Sequence, residues 1–304
     1  MHVPPGLRWA LGAVAIAAAP VAAYACSQCL CGTPFPADAL GGVVPMQIRY
    51  GIEDRYLSKA NALEEEPGNE EEHEHRTGAF VSWRAVDRLA LLGRLPYNFK
   101  EIIETPEGEA SITRREQGLG DAELLALIGL AHGAGPRGGT LGAVLGVVAP
   151  TGPNNRTDTG GERLDEHLQP GSGAWSGSAG LNLTLPGHQG TFLASVLGRL
   201  NGENDHGYRY GNAVLYNAGF YTPRRQGWSA TVQANGRTAA RDDLGEGVEG
   251  QHTGGTVVYL SPGLRWQSGF GVAVEGLVQI PVIESLYGIQ DEHTTAHIAL
   301  SMDH

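Results

Sequence analysis

The sequence predicts an all-β fold: a transmembrane antiparallel β-barrel of about 12 strands with short periplasmic turns and long extracellular loops. Three observations predict it. The chain opens with an export leader, apolar and polar residues alternate strictly over some 12 later stretches, and the connections between those stretches are alternately short and long. Period-two alternation gives a strand one apolar and one polar face, as a lipid-facing wall around a wet lumen requires.

Arg8 is the only formal side-chain charge ahead of an apolar, Ala-rich run from Trp9 to Ala23, and Ala23-Tyr24-Ala25 supplies an A-x-A cleavage pattern. Residues 1–25 therefore read as a secretory signal peptide cleaved after Ala25. The run is shorter than the roughly 20 residues that span a bilayer as a helix. Export together with a barrel pattern places the chain in the outer membrane of a Gram-negative bacterium, in contact with outer-membrane lipid.

Residues 26–45 form a periplasmic segment in which Cys26, Cys29 and Cys31 are the only cysteines of the chain. Three readings stay open for them. They suit a disulfide in the oxidising periplasm with one thiol left over, a soft ion such as copper or zinc, or lipid attachment at Cys26. A metal or redox centre here would make the barrel an anchor for a periplasmic partner.

The barrel itself is expected over 46–304. Along 46–56, Met46, Ile48, Tyr50 and Ile52 share a face against Gln47, Arg49, Glu53 and Arg55. Along 77–86, Ala79, Val81 and Trp83 oppose Ser82 and Arg84; along 88–102, Leu89, Leu91, Leu95, Tyr97 and Phe99 oppose Arg94, Asn98 and Lys100. Segment 117–131 is the least regular, because Leu124, Leu125, Leu127, Ile128 and Leu130 would also suit a helix; a strand is expected. Segment 139–149 is apolar and Gly-rich. In 174–185, Trp175, Ala179, Leu181, Leu183 and Leu185 alternate with Ser176, Ser178, Asn182 and Thr184, and 190–200 and 211–222 follow. In 227–237, Trp228, Ala230 and Val232 alternate with Ser229, Thr231, Gln233 and Asn235; 255–266 follows. In 269–280, Phe270, Val272, Val274, Val278 and Ile280 oppose Glu275 and Gln279. The last segment, 294–303, alternates through Ile298, Leu300 and Met302 to His304, where barrels of this kind usually end on an aromatic residue. Short turns are expected near 86–88, 133–136, 186–188, 223–225 and 267–269, and long polar loops at 57–76, 103–116, 150–173, 201–210, 238–254 and 281–293.

With the apolar faces toward lipid, Arg49, Glu53, Arg55, Arg84, Arg94, Lys100, Arg199, Arg237, Arg265 and Glu275 line the lumen, as do Asn98, Asn182, Gln233 and Gln279. Bases outnumber acids in this set, which predicts a narrow pore biased toward anionic or carboxylate-bearing solutes. The acidic stretch 64–76 ends on His73 and His75, weak candidates for collecting divalent cations; a solvated acidic loop is the plainer reading.

Composition excludes other classes. A net charge of -12 argues against nucleic acid, and 45 glycines argue against long helices. There is no nucleophile elbow, zincin motif, P-loop or dinucleotide fingerprint, so no enzyme is expected.

Three further motifs occur in order: Gly118-Leu119-Gly120-Asp121, then Ala149-Pro150-Thr151-Gly152-Pro153, then Leu168-Gln169-Pro170-Gly171-Ser172-Gly173-Ala174-Trp175. Over residues 118–175 they resemble the outer-membrane family named for the meta-pathway of phenol degradation, related to the long-chain fatty-acid channels. The resemblance implies an outer-membrane channel or transporter for small molecules, hydrophobic or aromatic ones in particular.

Overall fold

The computed structural model describes residues 47–62, 67–134 and 138–304. The leader, the segment 26–45 with Cys26, Cys29 and Cys31, and part of the turn at 133–136 lie outside the described residues. Fourteen strands follow one another: β1 (Ile48–Ala62), β2 (Gly68–Val86), β3 (Leu89–Pro106), β4 (Ile112–Leu119), β5 (Ala122–His132), β6 (Thr140–Ala149) and β7 (Ser176–Pro186) make the first half. The second half is β8 (Thr191–Asn201), β9 (Ala213–Tyr221), β10 (Trp228–Ala239), β11 (Gly255–Gln267), β12 (Val272–Leu286), β13 (Gln290–Glu292) and β14 (Thr295–Asp303). None of the described residues forms a helix long and apolar enough to cross a membrane.

Fourteen strands make 12 crossings. β4 and β5 both pair with β3 and form one crossing broken at Gly120-Asp121; β13 and β14 both pair with β1 and form another. Every pairing is antiparallel, and β1 pairs with β14 on one side and β2 on the other, so the sheet closes on itself. At the seam, Ile48 N donates to the His304 carbonyl at 3.0 Å and His304 N donates back to that of Ile48 at 2.8 Å. Closure leaves every crossing with two neighbours, which removes the unpaired edges a bilayer does not tolerate.

The outer wall is apolar where lipid would lie. Ile48, Tyr50, Ile52, Val81, Trp83, Leu124, Leu145, Val196, Leu264 and Ile298 are all exposed, on faces opposite the buried Arg49, Ser82, Val144, Leu197 and Ser261. So many exposed large side chains are unstable in water and natural in hydrocarbon. The segment 121–131, for which a helix was the rival, is strand β5, with Leu125 and Leu127 inward against Phe80, Ala90 and Leu92.

The expected loops need correction on one flank. The stretches 57–76 and 103–116 are mostly strand, since β1, β2 and β3 run for 15, 19 and 18 residues, well beyond the roughly 9–11 that cross a bilayer. Beyond Asp54 and Thr77 the outward face turns largely polar, so these ends stand clear of the hydrocarbon. The stretch 281–293 is likewise largely strand, β12 reaching Leu286 and β13 covering Gln290–Glu292. His73 and His75 therefore sit on β2, pointing outward, while Glu70, Glu72 and Glu74 point inward. The strand period separates the residues that an acidic loop would have pooled.

Candidate functional site

The 150–175 connection between β6 and β7 folds down into the barrel. Leu164, Glu166, Leu168, Gln169, Pro170, Ser172 and Ala174 are buried there, Gln169 and Pro170 almost completely. Gln169 fixes the loop's shape: its Oε1 accepts from Arg156 N at 2.9 Å, and its Nε2 donates to the Arg156 and Leu164 carbonyls at 3.1 and 2.9 Å.

The three sequence motifs meet at the root of this loop. Asp121, at the break between β4 and β5, accepts from Gly152 N at 3.0 Å, Ser172 N at 2.8 Å and Ser172 Oγ at 2.5 Å. Thr151 Oγ1 donates to the Gly120 carbonyl at 3.0 Å and accepts from Ala122 N at 2.9 Å. Gly152 and Gly171 lie backbone to backbone. A Cβ on Gly152 would fall 2.7 Å from the Gly171 Cα and 2.6 Å from the Leu119 carbonyl oxygen, so only glycine permits the approach. At Gly173 the φ of +70° adds a conformation closed to most side chains. The motifs are thus one fastening: a strand break, its acid, and the loop the acid holds.

Lumen side chains hold the tip. Asn98 donates to the Pro170 carbonyl at 2.7 Å, and Lys100 Nζ donates to the His167 and Gln169 carbonyls at 2.8 and 2.7 Å. His167 lies between β2 and the loops after β8 and β10, with Nδ1 3.1 Å from Glu72 Oε1 and Nε2 3.3 Å from Tyr208 Oη and 3.5 Å from Asp242 Oδ2. Burial opposes its charge, yet the adjoining Glu72 and the hydrogen bond to Asp242 hold its pKa well above the ordinary value. Glu70, beyond the apolar belt on β2, is pushed up to about 7 by burial and by Glu72. Glu70, Glu72 and His167 present ligand atoms within 4.8 Å of one another. Lys59 Nζ already pairs with Glu72 there, so the group is an ion-pair cluster that grips the loop.

Strand parity turns the expected lumen residues inward; Glu53, Arg84, Arg94, Arg265 and Glu275 are half-buried there and the others buried. The expected excess of positive charge is not found among the described residues, because acids point inward beside the arginines. Arg199 and Arg94 share Glu123, at 2.8 and 3.2 Å. Arg94 and Arg55 also reach Glu53, at 3.4 and 3.2 Å. Arg49 pairs with Asp303 at 2.5 Å, Arg265 with Glu275 at 3.2 Å, and Arg237 with Glu292. Glu72 and Glu292 fall in stretches expected as loops, and Glu123 in the ambiguous segment 117–131. Asn182, Gln233 and Gln279 are buried on the same inner face. Beneath the seated loop the pairs made by Glu53 and Glu123 border a cavity lined by Arg94, Glu123, Arg199, Pro170 and Tyr210, which reaches the wall beside Leu95 and Pro96 at the β4–β5 break.

Comparison with known proteins agrees with this architecture. An outer membrane channel of the COG4313 group from Pseudomonas putida F1 superposes with a TM-score of 0.63 at 12% identity, covering 88% of this chain and 99% of that one. Lower similarity is found to the translocator domain of the autotransporter NalP from Neisseria meningitidis (TM-score 0.47, 10% identity, 88% and 91% covered). The toluene transporter TodX from P. putida lies lower still (0.41, 6%, 88% and 92%). A search of curated proteins finds no match. The profile described as "Putative MetA-pathway of phenol degradation" matches residues 79–282. That span takes in all three motifs of the loop fastening and eight of the 12 crossings entire, and by it this outer-membrane barrel belongs to that family.

Proposed function

We propose that the barrel is a channel for small, largely uncharged molecules, aromatic compounds foremost. The observation that carries this is the seated loop over a charge-balanced lumen. The loop narrows the passage to a small cavity, and the ion pairs around it leave little net field to draw in ions. Prolines and a tyrosine line that cavity beside the arginine planes, surfaces on which a flat apolar ring packs well. The family's description supports aromatic compounds as the solute, and the likeness to an outer membrane channel from P. putida F1 supports transport rather than turnover. The leader 1–25 would deliver the chain, cleaved after Ala25.

Uptake into proteoliposomes tests it. Phenol or toluate ester entering faster than a charged sugar phosphate of similar size would agree; equal rates, or none above lipid alone, would refute it.

A further inference from the structure

The outward face of β1–β4 carries a second feature, separate from the lumen. Two rungs of the sheet stand just above the last lipid-facing one. The lower rung, read across the strands, is Tyr56, His75, Phe99 and Gln117; the upper is Ser58, His73, Glu101 and Arg115. Below them come Asp54, Thr77, Tyr97 and Leu119, and then the fully apolar Ile52, Ala79 and Leu95. Rungs on one face are ~7 Å apart, so the pair lies at headgroup level, where the polar layer adds about 5–8 Å to each side of the hydrocarbon.

Every residue of the two rungs but Ser58 borders a groove rather than a flat collar, to which Lys100 and Glu116 add one charge of each sign. The Tyr56 ring lies parallel to that of His73 (6.2 Å between centroids, 8° between planes) and tilts against His75 at 5.0 Å. The Tyr56 hydroxyl and His73 Nδ1 share a hydrogen bond at 3.1 Å. Phe99 forms the far side, packed on Tyr97 at 5.0 Å. Arg115, paired with Glu101, and Gln117 edge the groove with planar polar groups.

We infer that this groove holds the sugar rings of an outer-leaflet glycolipid. Three features select that occupant. The groove continues upward from the lipid-facing belt, so a molecule anchored by its chains beside Leu95 and Leu119 delivers its head there. Aromatic rings offer a face for the C–H side of a sugar, while His, Arg, Glu and Gln edges match its hydroxyls. The charges are balanced, with His75 3.2 Å from Asp54 and Arg115 on Glu101, which favours a hydroxylated ring over a bare phosphate.

The test uses the full chain refolded in detergent and mixed with phospholipid vesicles with or without lipopolysaccharide, and counts bound lipid by native mass spectrometry. Wild type should retain lipopolysaccharide in preference to phosphatidylethanolamine. Tyr56→Ala with Phe99→Ala should lower that retention at least tenfold and leave phospholipid retention unchanged. Gln117→Ala, an exposed and milder change, should lower it severalfold if the double variant folds poorly. Equal retention of both lipids by wild type, or undiminished lipopolysaccharide on the Gln117→Ala and folded double variants, would overturn the assignment. Loss that phosphate ions alone reproduce by competition would do so too.

Discussion

Replacing Asp121 by Ala should unseat the loop. The carboxylate takes three hydrogen bonds of 3.0 Å or less, two on Oδ2 from Ser172 and one on Oδ1 from Gly152. Each is worth about 1 kcal/mol net where solvent can partly replace the partner. Their joint loss is therefore about 3 kcal/mol, a factor of about 10² in the seated-to-released equilibrium. No lipid-facing residue changes, so the barrel should still insert and keep its heat-modifiable migration on gels. In planar bilayers the variant should open about 10² times more often than wild type, with a larger open level. Asp121→Asn keeps an acceptor for one of the two backbone groups and should fall between. A folded Asp121→Ala barrel with wild-type conductance would refute the claim that the loop is the constriction.

Other outcomes follow from the same geometry. Gly152→Ala forces apart two backbones that a Cβ would approach to 2.6–2.7 Å, a strain of about 1–3 kcal/mol, and should phenocopy Asp121→Ala in conductance. His167 has a raised pKa in the folded state, so its grip on Glu72 and Asp242 is complete below its ordinary pKa and lost as pH rises through the folded one. Glu70 loses its proton near pH 7 beside Glu72, which weakens the cluster in the same direction. Open probability should therefore climb from neutral to alkaline pH in wild type, and His167→Gln should flatten that rise; a rise on acidification would contradict the sign. Glu123→Gln strips the buried Arg94 and Arg199 of their shared partner, a loss of about 3 kcal/mol to be read in the urea midpoint of the folded barrel. Leu145→Arg puts a charge on the lipid face and should destabilise insertion by about 2–4 kcal/mol, whereas its neighbour Val144, 1% exposed, faces the packed interior.

The crossings were legible wherever lipid imposes an apolar outer face. Ile48, Tyr50 and Ile52 announce β1 because their partners Arg49 and Glu53 cannot share that face. Past Asp54 both faces of the strand are polar, and the pattern that marks a strand disappears although its hydrogen bonds continue. Lys59 and Glu72 fall in an expected loop for that reason, and with them one of the ion pairs of the inner face. Alternation records the solvent outside the wall; the ladder does not depend on it.

The loop fastening shows the complementary case. Each motif reads singly as turn-forming glycine, and nothing in the spacing of Asp121, Gly152 and Ser172 says that they touch. They meet because the wall is broken where Asp121 sits: Gly120 N still bonds to the Pro96 carbonyl at 2.9 Å, while the next residues turn their donors and acceptors to the loop. A continuous strand would have pointed one of Gly120 and Asp121 at lipid and left no acid for Ser172. The interruption in β4–β5 and the seat of the loop are therefore one structural decision, so a variant that restores continuous pairing there should also lose the constriction.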